Sequence, residues 1–365
     1  MPLITTRTTS FAESDFLSGS VFFIIFFKFS LKLNVKGARS MINRKFFTLL
    51  TSCFLVFGSS MNFAAASNTT VFITGKGIAA RLHKPVLEEF PGIKTESIKI
   101  PEKPLSDENL NEISESWLFL GTPVYKHKDH IIASCKKYKK ILCEKPVGLS
   151  KDEISEIKTA IDQNKTCFRV NYALRFLPRI DEIKEFIKNN EIKSVIITCN
   201  AGFNKCAPNK DWKSDYKSGG GILYSILPHM VDLLNFLNFE ENLNEITFKS
   251  TSEIPMNDIH LYSKTKSGIK TEINIDLLKD FDELTLKLET PQGGKIFNLV
   301  NSKENKITGA KYLSGTLSAT NKLSPWRISF KYLLETIFTD PENKKLAKIE
   351  DAEKVHNILK VILSK

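Results

Sequence analysis

The sequence predicts an α/β protein whose first half is a parallel sheet wound with helices. Its second half reads as an α+β unit around a large, mostly antiparallel sheet. Three observations carry this. From Thr69 the chain runs from a β-branched strand into a glycine-rich turn and a helix, "TTVFITGKGIAARLHKPVLEEF". The strand–helix–strand order continues through "SWLFLGTP", "VYKHKDHIIASCKKYKK" and "ILCEKPVGLS", as a parallel sheet requires. Beyond Arg175 the pattern changes to alternating strands, "SVIITCN", "EITFKS", "IHLYSKTKSGIKTEINIDL" and "ELTLKLETPQGGKIFNLV". The boundaries that follow are an N-terminal extension at 1–68, a first domain at 69–173 and a second at 174–365.

In the first half, Gly75-Lys76-Gly77-Ile78-Ala79-Ala80 is a G-x-G-x-x-A turn immediately after a strand and opening a helix. That is the context of the dinucleotide-binding, Rossmann-like fingerprint. Gly75 allows the tight turn, Gly77 lets backbone approach a pyrophosphate, and the helix start offers N–H donors. The acid expected about twenty residues on, to bind ribose hydroxyls, is missing. Glu102 stands behind Pro101, while Lys99 and Lys103 suit a 2′-phosphate, so the pattern leans from NAD towards NADP. The stretch 101–116 is short for a full helix and strand, which trims the adenosine side. "CEKP" falls where a parallel strand gives out, so Lys145 is expected over the carboxyl edge of the sheet, where open α/β folds place ligand chemistry.

In the second half, helices are expected at 178–189 and 228–238 on one face of the sheet. The run "GGGILYSILPHMVDLLNFL" (219–237) delivers one histidine, His229, from a glycine hinge, with Asp232 three residues on. The other histidines read as bland: His83, His127 and His130 as loop or helix-surface residues, His260 and His356 as structural. No internal repeat is visible.

Bulk properties bound the partners. A chain of 365 residues, 42% hydrophobic, can bury a substantial core. The net charge of +11 is partly concentrated before residue 70, and the remaining lysines alternate with acids. No basic stripe with interleaved aromatics appears, which argues against nucleic acid. The six cysteines (53, 135, 143, 167, 199, 206) show no CxxC or Cys/His spacing, so buried thiols are expected rather than disulfides or a metal site. "MINRKFFTLLTSCFLVFGSSMNFAAAS" (41–67) has the charged, apolar, small-residue order of a signal peptide beginning at an internal methionine. Segment 41–66 therefore predicts export to a periplasm-like compartment or membrane anchoring; a start near Met61 would leave the protein cytoplasmic.

Taken together, "GTPVYKH", "ILCEKP", "RFLP", "DWKSDYKSGGGILYSILPHMVDLLNFL" and the closing "IEDAEKVHNILKVILSK" resemble the glucose–fructose oxidoreductase / inositol dehydrogenase / rhizopine-catabolism (Gfo/Idh/MocA) oxidoreductases over about 71–365. The resemblance implies an NAD(P)-dependent enzyme acting on a sugar, sugar derivative or cyclic polyol, without a metal, and a homodimer or homotetramer built on the large sheet. It implies Lys145 and His229 as catalytic residues, the lysine at the reacting hydroxyl and nicotinamide edge, the histidine as proton acceptor. Gly75, Gly77, Ile78, Ala79, Ala80, Thr122, Pro123, His127, Glu144, Lys145 and Pro146 would line the cofactor. Lys145, Arg175, Ser225 and His229 would line the substrate. Two departures stand out: Ser225 replaces an aspartate common four residues before the histidine, and Leu227 replaces a glycine. A catalytically impaired member that binds a nucleotide or sugar is the alternative these departures favour.

Overall fold

The computed structural model describes residues 69–99, 115–200, 212, 215–251, 257–279, 283–301 and 325–364. The expected signal segment, Lys103, Glu102, Cys53 and Cys206 lie outside them. Among the described residues no helix is long and apolar enough to cross a membrane.

The first sheet has five parallel strands: β1 (Thr69–Thr74), β2 (Ile93–Ser97), β3 (Trp117–Leu120), β4 (Lys140–Cys143) and β5 (Cys167–Val170), in the order β2-β1-β3-β4-β5. β3 is buried at all four positions and β4 at three, the continuous apolar reading of strands covered on both faces. The chain leaves β1 for β2 on one side and returns to β3 on the other. That reversal makes the carboxyl ends of β1 and β3 a topological switch point, where open sheets leave a crevice for ligands.

A π turn, Ala79–His83, runs into α1 (Lys84–Leu87) after β1. α2 (His127–Cys135) follows β3, and α3 (Lys151–Asn164) follows β4. α3 shows why these residues form a helix. Ser150 Oγ accepts from Glu153 N–H at 3.2 Å, the buried residues Ile154, Ile157 and Ile161 fall on one stripe, and Lys165 closes it in the left-handed region. An N-cap of this kind contributes about 1 kcal/mol.

The second sheet has six strands in the order β11-β10-β6-β9-β8-β7: β6 (Ser194–Asn200), β7 (Thr247–Lys249), β8 (Asp258–Lys264), β9 (Lys270–Asp276), β10 (Glu283–Thr290) and β11 (Gly293–Asn301). Only β6 and β9 pair in parallel; the other neighbours are antiparallel. Its strands bury alternate residues, Val195, Ile197 and Cys199 on β6 and Ile273 and Ile275 on β9, the period of a sheet packed on one face.

Among the described residues five helices belong to this half: α4 (Ile180–Asn189), α5 (Ile222–Ser225), α6 (Leu227–Phe236), α7 (Pro325–Thr339) and α8 (Ile349–Leu363). One apolar cluster runs from Leu118, Ile141 and Ile157 through Leu223, Leu233 and Val355 to Ile273 and Leu286. The helix expected at 228–238 begins instead at Leu227, after a break at Ile226 that separates α5 from α6. Pro228, at the start of α6, accounts for it, because proline is tolerated only in a helix's first turn.

Candidate active site

The site is assembled where the strands of the first sheet end. Gly75 has φ +105°, and a Cβ there would lie 2.1 Å from the Gly121 carbonyl oxygen. Gly121 N–H in turn donates to Thr74 O at 3.0 Å, so the turns after β1 and β3 touch. Only glycine fits Gly75 in that conformation. Gly77 differs: a Cβ there would meet nothing within 4 Å. The space beside it is open, and Ile78 next to it is 37% exposed. An open backbone edge at the switch point, ahead of a helix, fits a dinucleotide's pyrophosphate. Ala79 is buried against Gly121, and Ala80 is exposed.

Thr122, Pro123 and His127 form one device. His127 is buried, with Nδ1 at 2.8 Å from Pro146 O and Nε2 at 2.7 Å from Thr122 O. It is a staple between the turn after β3 and the Lys145-Pro146 turn, whose peptide bond is cis, rather than a surface residue. Both carbonyls call for an N–H, while burial holds the ring below the usual histidine range. His130 Nδ1 lies 3.1 Å from Thr122 Oγ1.

Glu144 carries its carboxylate into a buried knot: Oε1 is 2.8 Å from His83 Nε2 and accepts from Asn171 Nδ2 at 2.7 Å. The sequence reading placed His83 on the surface; it is 1% exposed. The signal was available, since Ala79, His83, Val86 and Leu87 share the buried stripe of their helical segment.

Lys145 Nζ donates to the backbone carbonyl of Ser225. This brings it beside His229, whose ring is held well below the usual histidine range, first by burial and then by the Lys145 ammonium. His229 Nδ1 is buried and has no partner. A bare acceptor nitrogen is tolerable there, whereas a stranded N–H of a charged ring is costlier, so the resting proton sits on Nε2. Tyr172 and Trp326 flank the ring, with centroids 6.2 and 5.8 Å away. Both were missed in the sequence. Tyr172 follows β5 as Lys145 follows β4, whereas Trp326 arrives from a distant helix. Ser225 Oγ donates to Gly221 O at 2.6 Å, within its own turn. It closes α5 while His229 belongs to α6, so the two do not lie on one unbroken helix.

Arg175, expected among the substrate ligands, is 3% exposed. Its Nε donates to Asp232 Oδ2 at 2.9 Å, and Nη2 reaches both Asp232 Oδ1 and, at 3.1 Å, Asp351 Oδ1. Against the effect of burial, those carboxylates push the guanidinium's pKa up. Arg175 thus ties the turn Ala173–Phe176 to α6 and α8, and Asp232, one turn past His229, sets how α6 presents that histidine. Substrate contact by Arg175 would require these bonds to open. Among the described residues no group of three His, Cys, Asp or Glu side chains is placed to hold a metal ion.

The family model described as "Oxidoreductase family, NAD-binding Rossmann fold" matches residues 95–172. An uncharacterized oxidoreductase of Streptococcus pneumoniae serotype 4 is 28% identical over 133 residues, 36% of each chain. The glucose-6-phosphate 3-dehydrogenase of Bacillus subtilis (strain 168) is 25% identical over 207 residues, 54% of each chain. The matches thus span about a third and about half the length of these relatives. Among solved structures, a levoglucosan dehydrogenase in complex with NADH and levoglucosan superposes with a TM-score of 0.60 at 15% identity, covering 82% of this chain and 97% of the other. With the parallel sheet, the glycine turn and the Lys145 edge in place, the chain is similar to the Gfo/Idh/MocA oxidoreductases, whose family model matches it over residues 95–172.

Proposed function

We propose that the protein is an NAD(P)-dependent oxidoreductase acting on a hydroxyl or keto carbon of a sugar, sugar derivative or cyclic polyol. The observation that carries this is the meeting of Lys145 and His229 beside the switch point, next to the open edge at Gly77. The nicotinamide, when bound, accepts or supplies the hydride. Gly75–Ala80, Thr122 and Pro123 would hold the nucleotide, with the Glu144–Pro146 turn stapled beside them. Lys99, exposed just past β2, supports NADP over NAD as the ligand of a 2′-phosphate.

In the oxidation direction Lys145 donates a hydrogen bond to the reacting oxygen and stabilises negative charge developing there. The hydroxyl proton passes to His229. To accept it at Nε2 the ring must first hold its proton on Nδ1, stranding a buried N–H at about 1–3 kcal/mol. A carboxylate at position 225 would be the natural relief for that proton, and Ser225 supplies none. This makes His229 a weak base. It also supports the second reading, a member that keeps nucleotide or sugar binding and has lost most turnover. The half-exposed outer face of the six-stranded sheet, where Ile296 is 58% exposed, supports a homo-oligomer. Export or anchoring rests on 41–66 alone.

The test is to titrate purified protein with NADPH and NADH by nicotinamide fluorescence, then assay a panel of sugars and cyclic polyols with wild type, Gly77→Leu and Ser225→Asp. NADPH binding tighter than NADH, lost in Gly77→Leu while the thermal midpoint holds, supports the reading. Ser225→Asp should raise turnover on the order of tenfold, within the range of acid–base contributions. Binding without turnover in every variant favours the second reading, and absence of nucleotide binding removes both dehydrogenase and nucleotide-binding roles.

A further inference from the structure

His83, Glu144 and Asn171 come from three separate segments and meet beneath the carboxyl edge of the first sheet. The backbone there is fixed from two sides: Glu144 N–H donates to Leu120 O and Asn171 N–H donates to Cys143 O, each at 2.8 Å. A single oxygen, Glu144 Oε1, meets both His83 Nε2 and Asn171 Nδ2. The His83 ring stacks on Phe330 of α7 with centroids 4.7 Å apart at 21°, and meets Phe119 edge-on.

The packing decides the tautomer. His83 Nδ1 is buried without a partner. A proton there would be stranded, and a neutral ring protonated only there would turn a lone pair towards the carboxylate. The neutral Nε2–H form satisfies both constraints, so His83 donates and Glu144 stays ionised. Burial would push that carboxyl up, yet the His83 contact, the Lys145 charge and Asn171 hold it below the usual range. An anion with its side chain only 12% exposed therefore sits one residue before Lys145, and the donor that keeps it there is carried by the π turn that continues the glycine turn.

We propose that His83 is a positioning residue for Lys145: by donating to Glu144 it fixes the carboxylate and the turn from which Lys145 projects, and links that turn to the helix leaving the Gly75–Ala80 turn. This rests on the reading of Lys145 as the ammonium that meets the reacting oxygen. A buried histidine that only fills space against Phe330 would be replaceable by leucine. One that acts through its Nε2–H would be replaceable by glutamine, whose amide N–H reaches as far.

The experiment uses the full chain and three variants, His83→Leu, His83→Gln and Glu144→Gln, checked for folding by thermal midpoint. Labelling of Lys145 by pyridoxal 5′-phosphate and borohydride is followed by peptide mass spectrometry at pH 8. Glu144→Gln and His83→Leu should label on the order of threefold faster or more, because loss or misplacement of the carboxylate favours the neutral amine. His83→Gln should label as wild type does. Unchanged labelling in Glu144→Gln and His83→Leu overturns the proposal, as does His83→Gln behaving like His83→Leu. Should His83→Leu fail to fold, the contrast between Glu144→Gln and His83→Gln decides alone: different rates support the link, equal rates overturn it. The functional reading fails separately, if no nicotinamide nucleotide binds or if Lys145→Ala keeps full turnover.

Discussion

The two sheets solve the same problem, burying backbone with its N–H and C=O groups paired, and they leave their polar side chains in different places. In the five-stranded sheet β3 and β4 are almost wholly apolar, so polar groups gather beyond the strand ends: Gly75, Thr122, Glu144, Lys145 and Asn171 each follow a strand directly or by one residue. In the six-stranded sheet burial alternates along β6, β9 and β10, and the outward row of β6 and β9 holds Ile196, Thr198, Glu272 and Asn274 in half-exposed positions. Chemistry in the first sheet is a matter of position along the chain; in the second, of which face a residue takes. Substitutions at strand ends of the first should therefore cost far more than outward substitutions in the second.

The largest effect is expected at Arg175, just past β5. Arg175→Met leaves Asp232 buried without its bidentate partner, a loss of about 3–5 kcal/mol, read by chemical denaturation. A loss below 1 kcal/mol would show that Asp232, left without the guanidinium, is relieved by taking up a proton or by solvent, and would weaken the contrast. Next comes Gly75→Ala, where a positive φ and a Cβ 2.1 Å from Gly121 O coincide. About 2–4 kcal/mol should be lost, with the thermal midpoint falling by roughly 10 °C. Gly77→Ala should leave the midpoint within about a degree, and a matching fall there would mean the turn tolerates no side chain at all.

Glu241 sharpens the comparison, since it is a polar residue buried behind the second sheet. It is 2% exposed; Oε1 accepts from Thr271 Oγ1 at 3.2 Å, Oε2 has no partner, and burial pushes the carboxyl up to about 7 from an ordinary 4.5. The folded state then holds a proton that the unfolded chain has released, so stability falls as pH rises from 4.5 through about 7. The loss is at most about 3 kcal/mol. Glu241→Gln should flatten that part of the profile in urea unfolding at pH 5 and pH 8. An identical pH dependence in the variant would assign the effect elsewhere. The smallest effect belongs to Ile296→Ser on the outward face, within about 0.5 kcal/mol for the monomer. Any larger change that depends on protein concentration would locate a subunit contact there.

How much of this could be read beforehand follows the same division. Strands β6, β8, β9, β10 and β11 announce themselves through alternation and the "TKSG" and "TPQGG" turns, because face choice is written residue by residue. Lys145 was legible because a strand end followed by proline fixes where a side chain stands. Arg175 was legible as important but not in its direction, since sequence does not say whether a guanidinium meets substrate or two carboxylates of the same chain. The offset between Ser225 and His229 depended on weighing Pro228 as a helix start. Burial of His83 was written in the stripe Ala79, His83, Val86 and Leu87, whereas Trp326 depended on α7, which no local pattern in the first half can foretell.

The reach of α7 and the segment after it also bears on how the chain is made. Phe330 covers His83, Phe338 meets Phe90, and Val170 N–H, on the edge strand β5, bonds Ala347 O. The ribosome must therefore pass Ala347 before the first sheet receives its last cover. Contacts so distant in sequence slow productive folding and keep an aromatic flank and a strand edge open in the nascent chain. Such a chain offers chaperones a long interval in which to hold it unfolded, the state in which a polypeptide can still be threaded through a translocation pore.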